Sequence, residues 1–387
     1  MKRAVEKTFM KSLSQKSSFK TLTDYTYMNQ ASLGLISNDS VNNMISFLVE
    51  FAQHGNSLIS DLDEIELLTP VRQKLGLLFQ CDPKNVAILS SASELLSQIP
   101  FIIPEPKCGK IIMVESDFPS LIRPWLAAIE RGNKYNIKLI KDDPNTSLTK
   151  NIIKEIDIDT KAVVVSHVQF STGTKLDYHL VSEATQKHDA LFILDVTQSA
   201  GAIPLNFEEI SADALISSGY KWLGGHGGAA FAILSDEFLR VDPLSTGWMS
   251  DPYPFEMNTR DLKFANSAMK FTQSTISYIT IKGIEQSLDQ ILRLSTKKIS
   301  NHSKKLSKIL LNKIQATPWQ AFRTERDYEF SSHIIALGNA DQDIVKYYKK
   351  LTENRIITSM RNKRIRISIA HYNCEEDVKK LANILIS

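Results

Sequence analysis

DVTQSAGAIPLNFEEISADALISSGYK, residues 195–221, links two short apolar runs that read as neighbouring strands. The first run, Ala190–Leu194 (ALFIL), is unbroken, as a strand covered on both faces should be. Asp195 closes it at the carboxyl end, where open α/β sheets gather ligand chemistry. The second run, Ala214–Ile216, delivers Ser217, Ser218, Gly219, Tyr220 and Lys221 to a glycine-rich turn. A carboxylate and an amine are thereby set on adjacent strand ends. Taken singly, Asp195 reads as a turn cap and Lys221 as a solvated surface lysine. The ordered set argues for chemistry.

Working outward, Val86–Leu89 is a buried strand followed by Ser90, Ser91, Ala92, Ser93, Glu94 and a helical run. Strand, small-residue turn and helix start together form an anion site, because free N–H groups and the helix dipole face the turn. Ser93 serves equally well as a helix cap. Lys110–Val114, Ala162–Val165 and Ala229–Leu234 are further strands, so strand–helix units recur. That pattern predicts an α/β fold, a mainly parallel sheet covered by helices. Beyond it, one long helix over about 279–309 and a set of shorter elements predict a smaller α+β domain. The expected division is an N-terminal arm at 1–30, a large domain at 31–278 and a small C-terminal domain at 279–387.

Pyridoxal phosphate (PLP) requires a lysine amine to form an imine and an acid to keep its pyridine nitrogen protonated, and Lys221 and Asp195 supply that pair. At these residues the chain resembles the class V aminotransferase family of fold-type I PLP enzymes. That family includes cysteine desulfurases, kynureninases and isopenicillin N epimerases, and the resemblance runs from about Tyr27 to the end. It implies that Lys221 is the imine lysine and Asp195 the partner of the pyridine nitrogen. It further implies that Gln198 contacts the ring hydroxyl, while Ser218, Tyr220, Ala92 and Ser93 hold the phosphate.

The same resemblance assigns the flanking segments. In Glu115-Ser116-Asp117-Phe118-Pro119-Ser120 the family often has a histidine stacked on the ring; here Phe118 is the stacking residue, unless it is simply core. A phenyl ring can sandwich a pyridine but cannot carry protons. Phe170 stands where desulfurases have an asparagine, and His167 is given no catalytic role. Trp248, in Thr246-Gly247-Trp248, is expected at the cofactor phosphate or else as an ordinary buried aromatic. Thr275 is expected to reach the phosphate of a neighbouring subunit, which implies a homodimer. Asn29 to Ser32 belong to a segment that crosses the active-site mouth in the family. Arg366, in Arg364-Ile365-Arg366-Ile367-Ser368, is expected to clamp a substrate carboxylate through a planar bidentate fork. Arg364, two residues away on the same side of the strand, keeps the register open.

Bulk properties exclude several classes. The net charge of +3 is too small to argue for nucleic acid. No apolar segment approaches a membrane span, and the basic residues 1–20 lack the apolar centre of a secretory signal. The 3 cysteines, Cys81, Cys108 and Cys374, show neither a disulfide framework nor a metal pattern, and suit a reducing, cytoplasmic setting. No metal site is expected. The expected activity is PLP chemistry on an amino acid, a small-molecule substrate, by a lyase acting at Cβ or Cγ as kynureninases and C–S lyases do. An aminotransferase or epimerase, and a non-catalytic binding protein of the same fold, are the alternatives. An ordinary cysteine desulfurase is not expected, since 349–363 contain no cysteine.

Overall fold

The computed structural model describes residues 9–104, 106–340 and 343–387. The first eight residues of the basic arm therefore lie outside the described residues. In chain order the strands are β1 (Thr26–Tyr27), β2 (Val86–Leu89), β3 (Cys108–Val114), β4 (Lys134–Ile140), β5 (Thr160–Ser166), β6 (Leu191–Asp195) and β7 (Ala214–Ser218). They continue as β8 (Ala230–Leu234), β9 (Gln320–Ala321), β10 (Ile334–Gly338), β11 (Ile356–Ile357), β12 (Ser359–Arg361) and β13 (Arg364–Ser368).

Seven strands form one sheet in the order β2-β8-β7-β6-β5-β3-β4. Every neighbouring pair is parallel except those of β8, which runs antiparallel to β2 and β7. The expected α/β fold is what is found. The glycines after Lys221 make that reversal: residues 224–228 turn the chain so that β8 returns directly beside β7. Helices cover both faces, which is why β2, β7 and β8 are buried along their whole length. One core lies beneath Val71, Leu75, Ile281, Ile284 and Leu288, the other beneath Leu95, Leu121 and Trp125.

A second, antiparallel sheet has the order β12-β13-β10-β9. Its core is built from Leu306, Leu310, Ile335, Ile367, Val378 and Leu381, contributed by strands and by the helices Thr296–Ile314 and Glu375–Ile386. The α+β character expected of the C-terminal region is present. The single long helix is not. Ser295, with φ of 69°, breaks it into Tyr278–Leu294 and Thr296–Ile314. The final helix is capped by Cys374 with Asp377. Asn373, one residue earlier, accepts from Ala370 N and donates to Tyr27 O.

The N-terminal segment is tied to this second region rather than loose. Leu13 N donates to His371 O at 2.8 Å, Lys16 pairs with Asp377, and β1 adds in parallel to β11. In helix Asn38–His54, Met44 packs on Gly283, but Ile45, Leu48 and Val49 are more than half exposed.

Candidate active site

A cavity of about 180 Å³ opens at the carboxyl ends of the parallel strands. Asp195, the last residue of β6, lies in register with Ile216 of β7, so the chain leaving β7 carries Lys221 to the same edge. Both side chains are buried, at 7% and 8% exposure. Thr197 N donates to Asp195 Oδ1 at 2.7 Å, and Thr197 Oγ1 accepts from Ser218 N at 3.1 Å. A single turn after β6 thus secures both the carboxylate and the backbone that presents Ser218.

Burial and charge set the protonation of the pair. Desolvation lowers Lys221 to about 8; the nearby Asp195 carboxylate resists this, while Arg366 and Arg361 add to it. Desolvation raises Asp195, opposed by its Thr197 hydrogen bonds and by Lys221. An amine poised near neutrality beside a carboxylate is suited to carbonyl chemistry. Lys221 Nζ stands 5.4 Å from the centroid of the Phe118 ring, which meets Phe170 edge-on at 5.7 Å.

Of the residues expected to hold a cofactor, Ala92, Ser93, Phe118, Asp195, Gln198, Ser218, Tyr220 and Lys221 all line this one cavity. Gln198 is engaged from both ends: its Oε1 accepts from Trp222 Nε1 at 2.8 Å and its Nε2 donates to Ala31 O at 3.0 Å. It lines the cavity as a braced wall. Trp248 and Thr275 do not line it. Trp248 packs on Phe255 at 5.3 Å beside another cleft, and Thr275 Oγ1 donates to Glu64 at 2.8 Å.

The segment 27–37 clamps the backbone that carries Lys221. Gly34 N donates to Tyr220 O, and Gln30 Nε2 donates to Lys221 O at 2.9 Å. A Cβ on Gly34 would come within 2.1 Å of Lys221 O, so this approach requires glycine. Arg366, 1% exposed, donates to Phe170 O at 2.7 Å, to Ser32 Oγ and to Asn29 Oδ1 at 3.5 Å; Phe170 lines the cavity, whereas Arg366 and Asn29 do not. Arg364 takes another direction, with its guanidinium 5.1 Å over the Phe322 ring. His167 is wholly buried, driven down to about 3 by desolvation, and bonded to Ser199.

Sequence reasoning missed Asp117, Thr197 and Arg361. Asp117 is buried beneath the site and accepts from Ser166 N, Ser166 Oγ, Gln169 Nε2 and its neighbour Phe118 N. It thereby joins β5 to the turn that presents Phe118. Its carboxyl is raised to about 6, mainly by desolvation. The only signal was its adjacency to Phe118 at a strand end.

The residues fit PLP on their own terms. Ser218 Oγ is buried in the cavity without a hydrogen-bond partner, the mark of a donor reserved for a ligand. Ser91 makes no side-chain cap to helix Ala92–Leu96, which leaves the N–H groups of Ala92 and Ser93 for an anion, Glu94 N being bonded to Ser91 O. A lysine near neutrality, a buried carboxylate and a flat aromatic complete the set. Fold and site together define a fold-type I PLP enzyme.

The profile described as Aminotransferase class-V matches residues 27–381, and the chain belongs to that family. It is 24% identical to the uncharacterized aminotransferase YcbU of Bacillus subtilis over 62% of this chain and 63% of that protein, so the match spans less than two thirds of that relative. It is 24% identical to a probable cysteine desulfurase of Mycoplasma genitalium over 83% of this chain and 81% of the relative. Among solved structures, the cystine C–S lyase C-DES superposes with a TM-score of 0.86 at 19% identity, covering 95% of this chain and 98% of the other, which establishes a shared fold.

Proposed function

We propose that the protein is a PLP-dependent lyase that breaks a bond at Cβ or Cγ of a small amino acid. The observation that carries it is the buried Lys221–Asp195 pair beneath Phe118, with Arg366 bonded to the carbonyl of Phe170 in the cavity wall. When bound, PLP supplies an electron sink for the carbanion formed at the substrate α-carbon. Lys221 Nζ would hold the cofactor, and its amine would be the base for the substrate α-proton. Asp195 keeps a proton on the ring nitrogen; Ser218 and the N–H groups of Ala92 and Ser93 hold the phosphate. Phe118 would pack against the cofactor without exchanging protons. Arg366 anchors the α-carboxylate, with Asn29 beside it.

The proposed working form is a cytoplasmic homodimer. Trp248 and Thr275 lie outside the cavity of their own chain, and the bare Ile45, Leu48 and Val49 stripe offers an apolar surface to a second copy. Three free cysteines suit a reducing compartment.

The deciding experiment supplies a panel of amino acids to the PLP-loaded protein and identifies products by mass spectrometry. Release of ammonia and a keto acid, or of a cleaved side chain, supports a lyase. Accumulation of the amine form of the cofactor without side-chain loss would make it a transaminase, and a change of chirality alone an epimerase.

A further inference from the structure

Strands β12 and β13 form a hairpin whose two turn residues, Asn362 and Lys363, are both left-handed, with φ of 47° and 56°. Such a turn locks the register, here Arg361 opposite Arg364 and Ser359 opposite Arg366. By strand alternation these side chains, and Ser368, share one face. Arg364 is diverted to Phe322. Arg361 is not: its Nη2 reaches the same Ser32 Oγ that accepts from Arg366 Nη2, at 3.5 Å.

Two guanidiniums therefore converge on one neutral hydroxyl. Their remaining acceptors are Met360 O, Phe170 O and Asn29 Oδ1, and no carboxylate bonds either of them among the described residues. The surrounding face is also short of acceptors. Arg366 Nε, Ser359 Oγ and Ser368 Oγ are buried without a hydrogen-bond partner, in residues only 1%, 5% and 0% exposed. Buried polar atoms left open in a native fold call for a partner, be it a water, an ion or a ligand. An α-carboxylate carries one negative charge and balances one guanidinium; Arg361, half-buried and bonded only to Met360 O and Ser32 Oγ among the described residues, is left for a second anion. Its field is felt locally, since Arg361 helps to lower both Arg366 and Lys221.

We propose that the substrate is an α-amino acid with a second anionic group on a short side chain, Arg366 taking the α-carboxylate and Arg361 the side-chain acid. This rests on the amino-acid reading of the site given above. It specifies the substrate class: a carboxylate or sulfur oxyacid, in preference to apolar or amide side chains.

The test is a binding titration of the PLP-loaded protein, followed by the visible cofactor band and by calorimetry, with the near-isosteric pairs L-aspartate and L-asparagine, and L-glutamate and L-glutamine. In at least one pair the acid should bind about tenfold more tightly than its amide, the scale of one charge-assisted contact. Arg361→Gln should bring that ratio to about one, and Arg361→Lys should restore part of it. An unchanged cofactor band in both variants certifies that the site is intact. Equal binding of acid and amide to the native protein would overturn the proposal. So would equal weakening of both by Arg361→Gln, which would place Arg361 on the α-carboxylate. No response to any amino acid would instead overturn the amino-acid reading itself.

Discussion

Lys221 and Phe118 meet across the strand ends, with Nζ 5.4 Å from the ring centroid, although they arrive from strands that are not neighbours in the sheet. Strands β5 and β6 lie between β7, which precedes Lys221, and β3, which precedes Phe118. The aromatic is thus held above the floor of the cavity, where a planar cofactor would be sandwiched.

Phe118→Ala should weaken PLP binding by roughly twofold to tenfold, the range of one aromatic contact. Equilibrium dialysis or cofactor-dependent thermal shift measures it. An unaltered affinity would reassign Phe118 to shielding the mouth.

Because burial and charge bring Lys221 to about 8, cofactor loading should depend on pH in a definite direction. The neutral amine is the nucleophile, so the rate of PLP uptake by the cofactor-free protein should rise with pH and level off above about 8. Borohydride should then fix one cofactor on Lys221, located by peptide mass spectrometry, and Lys221→Ala should take up no covalent label. A rate still climbing toward pH 10 would mean that the lysine is not desolvated in solution.

Arg366→Ala should raise the dissociation constant of amino-acid ligands by roughly tenfold to a hundredfold, since hydrogen bonds to charged groups contribute about 1.5–3 kcal/mol. Arg364→Ala should have a small effect, because its guanidinium is spent on Phe322. The reverse order in a titration of both variants would reassign the carboxylate site.

L-Cysteine should leave no persulfide on the protein. Burial pushes the Cys81 thiol up to about 12, Cys374 caps the final helix and Cys108 begins β3; none lines the cavity. The nucleophile would have to be a thiolate, and none is presented. A persulfide mapped to Cys374 and lost in Cys374→Ala would refute this.

Local sequence was enough wherever chemistry follows directly from a strand end. Apolar runs identify β2, β5, β6, β7 and β8, and the residues just beyond them must appear at the carboxyl edge, because parallel strands share direction. Ala92, Asp195, Ser218 and Lys221 were legible for that reason. Break points inside helices were not: Ser295 carries no proline or glycine signal, and its positive φ comes from how two helices pack on different cores. Whether Ile45, Leu48 and Val49 of helix Asn38–His54 are covered within the chain is decided by tertiary packing, which leaves them more than half exposed. Tertiary structure alone decided which of two arginines, alike in sequence and on the same face of β13, turns behind Ser32 and which stacks on Phe322. It alone brought Asp117 beneath Phe118 and Arg361 beside Arg366, because these meetings depend on strand order and hairpin register. Side-chain identity determines what a residue can do; long-range pairing determines what it does it to.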